Sequence, residues 1–516
     1  MNSKRFFHNI LILTAGSIVL RLIAIGFSGW LTRKVGAEGM GLYQLTFSVY
    51  SFASTIATSG IYLAVTRLVA EHLGRKEPQK AAAAMKVCFL YGAVISAAAS
   101  AFLWFGAPVI GEKILRDPRT ILPMKVLSAA LPFMALSCSL RGYFFAVRQV
   151  WKTNTSQILE QLIRIATVAA AFFLFLPDGA EQLERACIGI AAGSVSGEAL
   201  AFCYTFSLYL RAKSRVKKAD SLRSQTRPVL SIAVPVAFSS YLKSALTTVE
   251  NILIPRGFSR YGADRTLALS QYGMMEAMVM PVLSFPSALI TSFSSLLIPE
   301  VAQWRAEGKN AEIDRLTGEA LKATFFFALP VSAVFILFGE QIGSAVFGKP
   351  EAGRMLWVMA PLTPILYLDT VADALLKGLD EQLSVLRYSI IDSSLSVLLL
   401  YTLLPLFGMK GYISVLFFTS FVNASLSIGR LCRITKVTFS FTGWILRPLV
   451  SAAAASAAAY LLESHRISPG FQGLQTFSGI LLMAAVYTLF LFLTGGKSKA
   501  VLRRTFFSAE KKRQVL

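Results

Sequence analysis

Long apolar runs separated by short polar stretches recur along the whole chain. The first covers 9–31 and the second 41–66, joined by the turn Val35-Gly36-Ala37-Glu38-Gly39-Met40-Gly41. A helix needs about 20 apolar residues to cross a bilayer, and these runs reach that length. The pattern predicts fourteen spans, near 9–31, 41–66, 84–106, 122–146, 157–177, 186–210, 229–254, 268–297, 320–341, 356–376, 387–407, 411–434, 444–462 and 474–494. The runs are too long and too uniformly apolar for barrel strands, and in lipid a helix satisfies its own backbone, so an all-α polytopic membrane protein is expected. Pro281 and Pro286 fall inside the eighth run and predict a bend there.

Composition agrees with this pattern. Of 516 residues, 55% are hydrophobic. The net charge of +23 would suggest nucleic acid on a soluble protein. Here the basic residues lie between apolar runs, so they are read as orienting the chain, with no nucleic-acid partner. With the N-terminus in the cytoplasm, 35 Lys and Arg fall in cytoplasmic segments and the adjoining helix ends, against 13 on the outer side. That bias, with an even number of spans, predicts both termini in the cytoplasm of a cell-membrane protein. The strongest basic stretches are RAKSRVKKADSLRSQTR at 211–227 and the tail at 497–516, suited to anionic membrane lipids. No cleavable signal peptide is expected, because the first apolar run is too long and no small-residue cleavage site follows it.

No loop is large enough for a soluble catalytic domain, and no cluster of catalytic residues is visible, so the chain is not expected to be an enzyme. Cys88, Cys138, Cys187, Cys203 and Cys432 form no CxxC pair and read as small buried hydrophobes. His8, His72 and His465 show no zinc spacing.

The chain carries an internal echo. Tyr43 opens a stretch ending Leu68-Val69-Ala70-Glu71, and Tyr272 opens one ending Leu297-Ile298-Pro299-Glu300, with the same Tyr-to-Glu spacing. Arg141-Gly142 is echoed by Lys377-Gly378. Both echoes shift the chain by six spans, which preserves orientation and predicts two parallel, pseudo-symmetric six-helix lobes. The expected division is 1–210 for the first lobe, 211–227 for a cytoplasmic linker, 228–435 for the second lobe, 436–496 for two extra helices and 497–516 for the tail.

The stretches GAEGMGLYQL, SGIYLAVTRLVAE and LRGYFFAVRQVWKTNTSQILEQLIRI resemble the polysaccharide-exporter branch of the MOP flippase superfamily. Within it the chain is similar to the stage V sporulation protein B-like group, with the lipid II flippases as close relatives. The resemblance covers most of the chain and weakens over the last two spans and the tail. It implies a V-shaped arrangement of the two lobes. It also implies a flippase that moves an undecaprenyl-pyrophosphate-linked glycan across the cytoplasmic membrane by alternating access, for cell wall or spore cortex. Arg21 matches a cavity arginine of those flippases; the following IAIGFSGW is apolar where they carry a further arginine.

An arginine in mid-membrane costs about 2.5–3.5 kcal/mol on insertion scales, so it is expected to face a wet cavity or a partner. Its planar fork suits a pyrophosphate. Arg21 is therefore the leading substrate-binding candidate, with Lys243, Glu250 and Asn251 on the seventh span and Glu276 on the eighth. Glu250 sits near the repeat counterpart of Arg21. Glu160 and Arg164, spaced i,i+4, read as a structural ion pair. Asp369 and Asp373, also i,i+4, and Asp392 are carboxylates within apolar spans that either shift their protonation or bind a cation. The resemblance implies a sodium site in the second lobe of some relatives, which makes Asp392 with Ser389 candidate ligands. No cofactor is expected; coupling to membrane potential, sodium or protons is. Wall-synthesis enzymes are candidate partners. A multidrug/cation antiporter of the same superfamily and a non-transporting membrane scaffold are the alternative functions.

Overall fold

A computed structural model describes residues 3–175, 182–212, 221–437, 439–463 and 472–494. Part of the basic stretch at 211–227 and the whole tail at 497–516 lie outside the described residues. Among the described residues there is no strand. The helices are α1 (Ser3–Thr58), α2 (Ile61–Gly74), α3 (Pro78–Val109), α4 (Ile121–Ser128), α5 (Ala130–Ala146), α6 (Val150–Phe175), α7 (Gln182–Ala212), α8 (Leu222–Tyr261) and α9 (Arg265–Gly273). They continue as α10 (Met280–Ser284), α11 (Ser287–Ala306), α12 (Asn310–Phe347), α13 (Pro350–Met359), α14 (Leu362–Gly378), α15 (Gln382–Ile434), α16 (Arg447–Glu463) and α17 (Gln472–Thr494). A π-turn, Met274–Val279, joins α9 to α10.

Nine helical stretches among the described residues are long and apolar enough to cross a membrane, or up to twelve if each bent pair is one span. α1 and α15 each contain a non-helical glycine, Gly36 (φ 71°) and Gly408 (φ 55°), where two helices meet across a kink. A positive φ there costs glycine little and other residues more. The eighth expected span breaks between Ser284 and Ser287 with a 57° bend, at Pro286 and one turn after Pro281. Proline removes a backbone donor and crowds the preceding turn, which accounts for the break. Large apolar side chains point outward: Phe173 is 91% and Phe105 78% exposed. Surfaces of that kind face lipid rather than water.

The chain divides into two compact units. The first comprises Met1–Met278 and Ser389–Thr419; the second comprises Val279–Tyr388 and Ser420–Leu516. In the first, α1 and α9 meet backbone to backbone. A Cβ on Gly41 would overlap the Leu269 carbonyl oxygen, and one on Gly273 the Ala37 carbonyl oxygen. Tyr43 and Tyr272, which open the two echoed stretches, thus lie beside the glycines of this contact. Nearby, Leu31, Met40, Val168, Ile190 and Ala277 form a buried cluster.

In the second unit, Leu297, Val301, Leu321, Val371 and Leu375 are buried together between α11, α12 and α14. α16 and α17 lay Ala452, Ala455, Ala459 and Met483 against Phe338 of α12. Tyr487 on α17 donates to the Phe326 carbonyl at 2.8 Å.

The second echo has the same physical content in both units. A Cβ on Gly142 would sit 3.0 Å from Val65 Cβ and 3.1 Å from the Tyr62 carbonyl oxygen. One on Gly378 would sit 2.9 Å from Val301 Cβ and 3.0 Å from the Ile298 carbonyl oxygen. Each glycine lets its helix close on a valine and on the carbonyl one turn before it.

Candidate functional site

α8 carries Lys243, Glu250 and Asn251, and the seven-residue spacing from 243 to 250 is two turns along one face. On α15, Ser389, Asp392, Ser393 and Ser396 recur at i, i+3, i+4 and i+7, also one face. Within the first unit these two faces meet. Ser393 and Ser396 turn their hydroxyls to the Glu250 carboxyl, and the charges of Asp392 and Glu276 act on it. Lys243, exposed itself, acts on Asp392. Glu250 Oε1 and Asp392 Oδ1 are buried without a hydrogen-bond partner. Asn251 and Ser389 are half-buried beside this group in sequence.

Glu276 sits in the π-turn and joins the group through Tyr412, whose buried hydroxyl donates to Glu276 Oε1 at 2.7 Å. α1 holds the same turn by its backbone. Gln44 Nε2 donates to the Glu276 carbonyl at 3.2 Å and Ser28 Oγ to the Ala277 carbonyl at 3.0 Å. A π-turn leaves carbonyls off the regular ladder, and these side chains satisfy them. Arg21 is half-buried on the same helix as Ser28 and Gln44, and it takes part in a polar interaction of its own. Among the described residues no three of His, Cys, Asp and Glu gather as a metal site.

Glu160 and Arg164 lie apart from this group. Arg164 Nη2 reaches Glu160 Oε1 at 2.7 Å along α6, and Arg141 Nη2 of α5 reaches Glu160 Oε2 at 2.7 Å. Glu198 of α7, buried, lies 4.0 Å from Arg141. Two arginines and two carboxylates balance, which is what a buried network requires. Gly197 brings α7 close enough: a Cβ there would stand 2.9 Å from the Glu160 carbonyl oxygen. Sequence reading missed Arg141 and Glu198. The signal for Glu198 was an acid alone in the apolar stretch SVSGEALAF.

In the second unit, Asp369 accepts from Asn423 at 2.9 Å and Asp373 from Ser427 at 3.2 Å. The two aspartates are four residues apart, and so are their partners, so two helix faces are matched rung by rung. Glu381 pairs with Arg430 at 2.6 Å beyond the end of α14.

A further network unites three connections of the first unit. Asp117, buried in the connection between α3 and α4, accepts from Arg119 at 2.9 Å and from Arg265 at 3.1 Å; Arg119 also reaches Glu38 at 3.0 Å. Burial pushes the Asp117 carboxyl up, but the hydrogen bonds and charges of Arg119 and Arg265 outweigh it and hold it below the ordinary aspartate range.

Long apolar helices with large apolar side chains turned outward, around buried charged groups, define a multi-pass membrane protein. The polysaccharide biosynthesis protein family matches residues 6–305, more than half the chain, and the chain belongs to that family. It is 26% identical to stage V sporulation protein B of Bacillus subtilis (strain 168) over 419 residues, covering 80% of each chain. It is 22% identical to the lipid II flippase MurJ of the same organism over 413 residues, covering 74% of each. Among solved structures, a lipid II flippase MurJ in an inward closed conformation matches with a TM-score of 0.69 at 14% identity, covering 96% of this chain and 99% of that one. An inward-facing multidrug resistance MATE family transporter matches with a TM-score of 0.61 at 15% identity, covering 82% and 96%. The fold is that of the MOP superfamily, and the chain is related to its lipid II flippases.

Proposed function

We propose that the chain is a flippase for an undecaprenyl-pyrophosphate-linked glycan, lipid II-like or a polysaccharide precursor. It moves this cargo across the cytoplasmic membrane by alternating access, for cell wall or spore cortex. The observation that carries this reading is the joint match to a polysaccharide biosynthesis family and to relatives named for sporulation and for lipid II flipping. Arg21 supports it as a cation in a long apolar helix whose fork suits a pyrophosphate. Up to twelve spans become fourteen when the kinks at Gly36 and Gly408 each separate two spans, and the Lys and Arg bias favours cytoplasmic termini.

Transport draws on membrane potential, sodium or protons rather than ATP, since the sequence contains no GxxxxGK[ST] loop. Glu250 and Asp392 are the groups through which a cation or proton would act, with Ser389 on the same face as Asp392. The test is reconstitution with lipid-linked glycans and a probe of leaflet exposure. Flipping without ATP, responsive to voltage or to a cation gradient, supports the reading. Folded protein that moves no lipid-linked glycan overturns it. The orphaned oxygens of Glu250 and Asp392 favour one second reading, a cation-coupled antiporter. Uptake of hydrophobic cations in the same vesicles would select it.

A further inference from the structure

The first unit gathers arginines at one end in excess of the carboxylates that face them. The connection after α3 passes through Leu115, Arg116 and Asp117, with Arg116 in the left-handed region at φ 56°. Two guanidinium groups close on the carbonyls of this turn from elsewhere. Arg256 of α8 donates to the carbonyls of Lys113 and Ile114, and Arg265 of α9 donates to that of Leu115 at 2.8 Å. Arg260, one turn beyond Arg256, stands 5.3 Å over the Tyr401 ring.

Asp117 and Glu38 serve Arg119 and Arg265. No carboxylate among the described residues pairs with Arg116, Arg256 or Arg260. Arg256 Nε is buried without a hydrogen-bond partner, and the charges of Arg116, Arg260 and Arg265 all act on this side chain. Like charges held together in this way raise the energy of the empty arrangement, and an anion between them lowers it.

We propose that Arg116, Arg256 and Arg260 form a binding site for a phosphate-bearing group, with Arg265 and the 113–115 carbonyls fixing the geometry. Guanidinium forks match phosphate oxygens bidentately, and three of them suit a diphosphate or a phosphodiester. The charge count places these connections on the outer side, so the site would receive the diphosphate of a delivered cargo or a head group of the outer leaflet. The assignment to a delivered cargo rests on the flippase reading; the anion chemistry does not.

The test uses the purified full chain in zwitterionic lipid nanodiscs, with inorganic pyrophosphate as probe and binding read by thermal shift and by titration. Arg116 and Arg260 are exposed, so the double variant Arg116→Gln/Arg260→Gln keeps the fold, and its unliganded melting point checks that. Pyrophosphate is expected to raise the melting point of the wild type and to bind the double variant at least tenfold more weakly. Arg305→Gln, which removes an exposed arginine of the second unit, should bind the probe as the wild type does. Nanodiscs containing phosphatidylglycerol divide the sources. Loss of pyrophosphate binding there assigns the site to bilayer phospholipid, and retention assigns it to a diphosphate cargo. Equal pyrophosphate binding by wild type and double variant, or none by either with no response to phosphatidylglycerol, overturns the proposal. A chain that fails to flip any glycan but binds pyrophosphate through these arginines would sink the transport reading and leave the site standing.

Discussion

The Tyr412 hydroxyl donates to the Glu276 carboxylate at 2.7 Å, and this bond ties the second half of α15 to the π-turn after α9. Removing the hydroxyl as Tyr412→Phe leaves an acceptor deep in the first unit without its donor. Such a loss costs about 1–3 kcal/mol. Unfolding of the detergent-solubilised variant should begin at lower temperature by the corresponding amount. An unchanged melting point would show that Glu276 finds another donor.

The glycine pair Gly142 and Gly378 should respond alike. Alanine at either position places a Cβ about 3 Å from a valine and a carbonyl oxygen in its own unit. Overpacking of this kind costs about 1–3 kcal/mol, and similar losses of stability are expected for Gly142→Ala and Gly378→Ala. A large loss at one and none at the other would break the equivalence of the repeats.

Glu160 bridges Arg141 and Arg164, all three largely withdrawn from solvent. Glu160→Gln strands two arginines with Glu198 as the remaining carboxylate. Breaking a buried network from one side costs about 3–5 kcal/mol. The quadruple change Glu160→Gln/Glu198→Gln/Arg141→Met/Arg164→Met removes all four charges together and should recover part of it, measured by yield of monodisperse protein and by thermal unfolding.

Asp117 gives its network with Arg119, Arg265 and Glu38 a defined pH dependence. Its carboxyl is held below its ordinary range, so its contribution is complete above the unfolded value and lost as pH falls through the folded one. Asp117→Asn should therefore be destabilised by the same margin at pH 8 and pH 5.5, and the two proteins should converge only below about pH 4. Convergence near neutrality would mean that another group dominates.

Arg21→Ala removes a charge that is costly in lipid, so the variant should accumulate normally. If Arg21 holds the pyrophosphate, flipping is lost in Arg21→Ala and partly retained in Arg21→Lys, which keeps charge without the fork. Normal flipping by well-folded Arg21→Ala would remove the substrate role.

The apolar runs, the proline bend at 286 and the echoed glycines were legible because each depends on local spacing or on one residue's backbone. The gathering of Glu250, Asp392 and Glu276 was only half legible. Their isolation in apolar runs marked them, yet the meeting of α8 with α15 joins positions more than a hundred residues apart, which spacing alone does not encode. Glu198 and Arg141 escaped for the same reason. Asp117 and the arginines around it looked like ordinary loop charges, because a polar residue in a connection carries no contrast with its neighbours.

The division of the chain into units has a consequence for biosynthesis. The first unit takes in Ser389–Thr419 as well as Met1–Met278. A ribosome must therefore deliver most of the second unit before the first can close, and Tyr412 reaches Glu276 only at that late stage. A fragment ending in the 211–227 stretch would leave the ribosome with its first unit lacking α8, α9 and the α15 segment. It should be cleared by membrane proteases when made alone and persist when the remainder is supplied as a separate polypeptide.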